Sequence, residues 1–485
     1  MKKSAVPDLS RRQFIGSSCC AAVTATGLLS SLASLRLIGA AASPANGPQL
    51  PPTAAAIPSD YKALVCLFLN GGNDANNMIV PTDPSLYAAY AAARSNLALP
   101  QTGLLPISPK TSDGRSWALH AALPEIQSLF GSGKAALLAN VGTLAYPTTK
   151  AQYRAGSVPL PRQLFSHADQ QVEWQTSVAE RFTNTGWGGR IADLLNAFNS
   201  NNEISMSISL AGTNYFQVGS QLTQYAVTTN GAVPLTNSTI TAGNSYVRAQ
   251  GQKDIFAQAQ PGLFDTAFAG ISASAVKHAD LLNSMLAATG NLTTTFPANT
   301  SAFGSNNNVG SQLKMVARLI AASPSLGLKR QVFFVQLTGW DLHAAQLAAA
   351  APATGTHATL LALVSQAINA FYDATVELGV ANQVTLFTAS DFGRTLRSNG
   401  DGSDHGWGNH QLIVGGAVNG RELYGKMPDL TIDGPDDTTQ GRWIPTTSVD
   451  EYAATLATWF GVSATDLPTV LPNIGRFAKP NLGFL

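Results

Sequence analysis

Four short polar clusters in this 485-residue chain have the residue types of a metal or acid–base site. They are Asn73-Asp74, Trp340-Asp341-Leu342-His343, Ser390-Asp391-Phe392-Gly393-Arg394-Thr395 and Asp404-His405-Gly406-Trp407-Gly408-Asn409-His410. Asp341 and His343 are two apart, so in extended backbone they point to the same side. Carboxylates and imidazoles gathered together are a ligand set for Zn²⁺, or for Mn²⁺ where oxygens dominate. Of the histidines, His167, His343, His405 and His410 lie in polar clusters, whereas His120, His278 and His357 have ordinary helical or loop neighbours and read as structural or surface residues. A lone Asp after a strand is more often a turn or cap residue. Four clusters in succession favour a site.

The elements that position them can be read from apolar runs. Leu64 to Leu69 ends at Asn70-Gly71-Gly72, and Val332 to Leu337 and Val384 to Phe387 precede the second and third clusters. The fourth cluster leads into Leu412 to Val414, while Ala135 to Val141 and Ile204 to Leu210 repeat the pattern. Such runs suit strands buried on both faces of a sheet. Leu361, Val364, Ile368, Phe371 and Leu378 share a helical face. Ser448 with Glu451 forms a capping-box pattern ahead of Tyr452, Leu456, Trp459 and Phe460. Alternating strands and helices predict an α/β fold, a three-layer α/β/α sandwich with a mostly parallel central sheet. Ligands bind such sheets at the C-terminal ends of the strands, where the clusters stand. Residues 226–246 and 288–312, rich in Thr, Asn, Ser and Gly, flank a helical stretch from Leu263 to Ala288. Residues 60–485 therefore read as one domain with an inserted cap region near 220–310.

Composition narrows the function. A net charge of +1 with 12% charged residues argues against a nucleic-acid partner, which needs a dense basic face. A 45% hydrophobic content argues against a disordered chain. The only long uncharged apolar stretch is N-terminal: Arg11-Arg12 precede an uncharged run from Gln13 to Leu35, and Ala40, Ala41 and Ala42 offer a peptidase small side chains. Residues 1–42 thus read as a twin-arginine signal peptide rather than a membrane anchor, and the Pro/Ala/Ser-rich residues 43–59 as a linker. The expected location is the periplasm or the medium, with the twin-arginine translocase as the partner during export. Without residues 1–42 the chain keeps 24 Lys and Arg, 27 Asp and Glu, and Cys66 as its single cysteine. No intrachain disulfide is then possible, and Cys66, inside an apolar run, reads as a buried small hydrophobe.

Leu69-Asn70-Gly71-Gly72-Asn73-Asp74, Gly339-Trp340-Asp341-Leu342-His343, Ser390-Asp391-Phe392-Gly393-Arg394-Thr395 and Asp404-His405-Gly406 together resemble the DUF1501 family of exported bacterial proteins. Supporting matches are Leu119-His120, Ser166-His167 with Gln170, Gln171 and Trp174, and Gly186-Trp187 with Gly189-Arg190. That family in turn is similar to the alkaline phosphatase and sulfatase superfamily. The resemblance implies Asp74 as a first-strand metal ligand, Asp341 and His343 as a middle pair, Asp391 as a later carboxylate and His405 or His410 as the final imidazole. Phe392 stands where the superfamily often has a His, so the ligand set fits one divalent ion or two. The resemblance further implies a Ser or Thr nucleophile at a helix N-terminus, for which Ser166 is the candidate, with Thr148 and Thr149 as weaker ones. Arg394 is the expected partner of a phosphate or sulfate oxygen through its planar fork. The implied activity is metal-dependent hydrolysis of a phosphate or sulfate ester, on a small-molecule or polymer substrate. The alternative is a non-catalytic exported protein that keeps the fold to bind a ligand or partner.

Overall fold

The apolar runs become strands because sheet residues covered on both faces need no polar alternation. In a computed structural model, β1 (Lys62–Asn70), β5 (Ala135–Gly142), β8 (Arg330–Thr338), β9 (Val384–Ser390) and β12 (Asn409–Gly415) are buried along nearly their whole lengths. The remaining strands are β2 (Ile79–Pro81), β3 (Leu105–Ile107), β4 (Trp117–Leu119), β6 (Ser207–Ser209), β7 (Tyr225–Ala226), β10 (Arg394–Ser398), β11 (Ser403–His405), β13 (Leu423–Gly425) and β14 (Thr447–Ser448). The structure describes residues 56–485 apart from 201–202, 237–240, 259–261, 299–307, 349–350 and 352. The expected signal peptide and most of the expected linker lie outside the described residues.

The central nine-stranded sheet runs β13-β5-β12-β9-β1-β8-β6-β7, with β14 also on β5. Every pair is parallel except those made by β12, which is antiparallel to β5 and to β9. The fold is therefore α/β with a large, mostly parallel central sheet. β2, β4 and β3 form a small antiparallel sheet, and β10 and β11 a hairpin.

Helices cover the sheet. Helix Thr356–Glu377 buries Leu361, Val364, Ile368 and Phe371, while Leu378 is its C-cap. Helix Val449–Phe460 starts with the Ser448/Glu451 capping box. It brings Tyr452 to within 5.8 Å of Phe387, which also meets Trp187 at 5.5 Å between ring centres. Burying a Phe side chain in this way contributes about 1.5–3 kcal/mol. Cys66 is a buried free thiol on β1, whose pKa burial pushes well up.

The described residues divide into two compact units, one of 234–280 and one holding the rest. The smaller contains helix Gly243–Ala257 and most of helix Leu263–Ala288. Among the described residues no helix is long and apolar enough to cross a membrane.

Candidate metal centre

Strand register sets the site. Asn70 of β1 lies opposite Thr338 of β8, and Leu69 lies opposite Ser390 of β9. Three adjacent parallel strands thus end level, and Gly71–Asp74, Gly339–His343 and Asp391–Arg394 emerge side by side. Gly71 makes the close approach possible. At φ +121°, a Cβ there would lie 2.5 Å from the Asp341 backbone nitrogen, so only glycine fits. The β10–β11 hairpin pairs Arg394 with His405 and so folds His405 back over the strand ends. His167 arrives at the first position of helix His167–Thr176.

His167, Asp341 and His405 each offer a ligand atom within 4.8 Å of the others. His167 Nε2 is 3.4 Å and His405 Nε2 3.5 Å from Asp341 Oδ1. His343 joins them, with Nε2 3.2 Å from Asp341 Oδ1 and 2.8 Å from His405 Nε2. Behind each ring, Nδ1 meets an acceptor: Asp391 Oδ2 at 2.7 Å for His167, Asp404 Oδ1 at 3.1 Å for His343, and the Phe165 carbonyl at 2.7 Å for His405. An acceptor at Nδ1 keeps a proton on that nitrogen and leaves Nε2 available as the metal-facing atom. The Nε2 atoms of His343 and His405 face each other at 2.8 Å, a separation that calls for a proton or a cation between them. His167 Nε2 is likewise buried without a hydrogen-bond partner.

These observations fit a bound cation. Ligand atoms at tetrahedral angles on Zn²⁺, with bonds of about 2.0–2.1 Å, lie about 3.3 Å apart, close to the separations from Asp341 Oδ1. The outer face is open, because the Asp341 and His343 side chains are 48% and 44% exposed. Burial opposes ionisation of Asp341, but the Arg394 hydrogen bond and charge and the nearby imidazoles carry its pKa below the ordinary carboxylate value. The hydrogen bond to Asp391 raises the pKa of His167, whereas burial lowers that of His405.

Several expected residues stand elsewhere. Asp391 is fully buried and both its oxygens are engaged: Oδ1 accepts from Gly71 N at 3.0 Å, and Oδ2 holds His167 Nδ1 and accepts from Gln171 Nε2 at 2.8 Å. It orients an imidazole rather than joining the converging atoms. Asp74 turns inward to an ion pair with Arg94 and accepts from Gln346, so its charge is neutralised inside the protein. His410 is buried in β12, where its Nδ1 accepts from Asn140 N at 3.0 Å. The ladder shifts register there and leaves that N–H needing a partner. Burial lowers the His410 pKa to about 4. Arg394 is not a free fork. Its nitrogens donate to the carbonyls of Gly71, Gly72, Trp340 and Ser403 and, at 2.6 Å, to Asp341 Oδ1. It clamps the strand-end loops and Asp341.

Ser166 is the N-cap of helix His167–Thr176, but its hydroxyl makes no capping bond. Oγ donates instead to Asp169 Oδ2 at 2.8 Å, and Arg162 lies 3.4 Å from Asp169 Oδ1. Thr149 is committed to a capping box and Thr148 Oγ1 donates to the Tyr146 carbonyl. Both line an open cleft of about 1280 Å³ whose walls include none of the converging residues. His120 and His357 are buried, and burial lowers their pKa values to about 4 and about 3. Sequence reasoning placed His167 beside the candidate nucleophile as an acid or ligand in a supporting role, outside the expected ligand set, and it gave Asp404 and the Phe165 carbonyl no role. For Asp404 the signal was its place next to His405. No local signal marks the carbonyl.

Comparison with protein families matches residues 61–452 to a family described as "Protein of unknown function (DUF1501)". No curated protein matches the chain. Solved structures similar to it include a sulfatase, PsFucS1, from a Pseudoalteromonas species (11% identity, 88% of this chain and 74% of that one, TM-score 0.34). Another is the soluble domain of lipooligosaccharide phosphoethanolamine transferase A from Neisseria meningitidis (8% identity, 87% and 95%, TM-score 0.34). A third is the lipoteichoic acid synthase LtaP from Listeria monocytogenes (8% identity, 87% and 78%, TM-score 0.29). Likeness at these values assigns no chemistry.

Proposed function

The chain belongs to the DUF1501 family, and we propose that it is an exported, metal-dependent hydrolase of phosphate or sulfate esters. The observation that carries this reading is the convergence of three imidazole Nε2 atoms on Asp341 Oδ1, each ring pinned from behind. Imidazoles with one carboxylate favour Zn²⁺ over Mn²⁺, and His167, Asp341 and His405 are the set whose ligand atoms lie close enough together for one ion. When bound, the ion supplies positive charge to the ester's non-bridging oxygens.

The protein's own residues supply the rest. Ser166 is the nucleophile, flanked in the chain by Phe165 and His167, both part of the site. Its hydroxyl already donates to Asp169 Oδ2, and Arg162 stands beside the other carboxylate oxygen. This is a nucleophile, a base and an orienting group in sequence. Oγ attacks phosphorus or sulfur, its proton passes to Asp169, and the ester oxygen leaves with a proton from water. A water molecule then attacks the serine ester, releasing phosphate or sulfate and returning the proton to Oγ. Ser166→Ala should abolish turnover of an aryl phosphate or aryl sulfate while metal content by elemental analysis stays at the wild-type level. Wild-type activity in that variant excludes Ser166, and a metal-free wild-type protein excludes the whole reading.

The alternative is an exported binding protein without catalysis, with a carbohydrate or assembly partner. The cleft beside Thr148 and Thr149, whose lining includes none of the imidazoles, supports it. A metal-loaded protein inactive on a broad ester panel would favour this second reading. Export rests on Arg11-Arg12 and the uncharged run behind them. Replacing both arginines by lysine should trap the protein in the cytoplasm, and normal periplasmic yield would refute the twin-arginine route.

A further inference from the structure

We infer that Arg442 is a positioning residue for the metal centre, acting through Phe165 and His405; the inference rests on the metal reading above. Carboxylates stand behind His167 and His343, but behind His405 the acceptor is a backbone carbonyl, that of Phe165. A carbonyl is aimed only as well as its own backbone is held. Phe165 sits at φ +76°, which an aromatic residue does not adopt without outside support. Its ring packs against the cluster of Leu144, Trp407, Ile444 and Phe477.

Arg442 supplies the second hold, and it grips both sides of the bond. Its guanidinium lies over the Phe165 ring at 5.0 Å. Its Nε donates to the backbone carbonyl of His405 at 2.7 Å. One side chain thus fixes the residue that accepts the imidazole N–H and the residue that donates it. Arg442 is itself anchored: its backbone N–H donates to Asp437 Oδ1 at 2.9 Å, and its carbonyl accepts from Thr438 N at 3.1 Å. Without the guanidinium, the Phe165 backbone is free to leave φ +76°, and His405 loses both its ring orientation and its tautomer. Partners behind metal-bound histidines typically change metal affinity 10–100-fold. Arg442 acts one contact further back, on the only ligand whose support is main chain.

The test uses the full-length protein stripped with a chelator and titrated with zinc against a chromogenic competitor, alongside thermal melts of the metal-free forms. Arg442→Ala should bind zinc about 10-fold or more weakly, with the metal-free melt close to wild type. The loss should disappear when His405→Ala is already present and persist when His343→Ala is present, which a generally structural role would not produce. Arg442→Gln keeps a donor for the His405 carbonyl but places no cation over Phe165. It should lose about two- to fivefold, and it carries the test if the Ala variant does not fold. Wild-type zinc affinity in the folded variants, or a loss that survives in the His405→Ala background, overturns the inference. Failure of the wild-type protein to bind zinc is a separate result and refutes the metal reading itself.

Discussion

Two polar clusters stand at the ends of neighbouring strands, Asp74 after β1 and Asp341 after β8, and they handle charge in different ways. Around Asp74 everything is closed: the carboxylate is buried, paired with Arg94 and bonded to Gln346, and the nearby His357 is held neutral. Around Asp341 the site is open: one partly exposed carboxylate faces three imidazoles whose Nε2 atoms all turn toward it. Each carboxylate has a guanidinium beside it, Arg94 at Asp74 and Arg394 at Asp341. Asp74 is buried with its pair, whereas Asp341 is half exposed and shares Oδ1 with imidazoles. Position at a strand end and a guanidinium partner are common to both, so neither separates a structural carboxylate from a candidate ligand. Exposure and the surrounding imidazoles do.

Substitutions should divide along this line. The largest effect is expected for Asp74→Ala, which leaves Arg94 buried without its counter-ion. Breaking such a pair costs about 3–5 kcal/mol, visible as a large fall in denaturation midpoint, while any protein that still folds keeps wild-type metal stoichiometry. Loss of metal together with a normal midpoint would erase the distinction. Next is Asp391→Asn, which keeps the shape behind His167 but loses the charge that holds its Nδ1–H. Metal affinity should fall about 10–100-fold with a smaller change in metal-free stability; unchanged affinity would mean that Asp391 does not orient the ring.

The smallest effect is a difference in response to acid. His357 and His120 have folded pKa values of about 3 and about 4, below the unfolded value, because burial favours their neutral forms. Their contribution is present above the unfolded pKa and is lost as pH falls toward the folded values, by about 1.4 kcal/mol per pH unit for each group. His167 is shifted the other way by its bond to Asp391, so protons compete with metal there at a higher pH. On acidification the open cluster should therefore release metal before the closed cluster destabilises the fold. Metal release that coincides with unfolding, followed by elemental analysis and circular dichroism on one pH series, would contradict this order.

Much of this architecture could be read from the chain. β1, β8 and β9 were marked by apolar runs, because a strand covered on both faces must be apolar throughout. The direction of β12 was not, since an antiparallel insertion into a parallel sheet is set by the connection and not by the strand's own residues. In the site, Asp341, His343 and His405 could be named because they sit beside glycines at strand ends. Asp74 and Asp391 looked equivalent to them. What engages them inside the protein is Arg94, which sits 20 residues from Asp74, and the Gly71 N–H, which lies 320 residues from Asp391. For His410 the deciding group was an unpaired N–H on a neighbouring strand, and for Arg394 it was a set of carbonyls that only the folded chain brings together.

The backbone approach of Gly71 to Asp341 bears on the order of assembly. The site's partners are separated by 240 residues between Phe165 and His405, and by 323 between Gly71 and Arg394. Loop closure over such spans comes late, after the sheet that defines the span has formed. An ion therefore has nothing to hold in the nascent chain, in contrast to small domains whose metal nucleates folding. A bound ion would arrive as a late guest in a finished frame. A chain that folds in the cytoplasm before crossing the membrane would then take its ion from the cytoplasmic pool, and the metal it carries outside would record the supply inside.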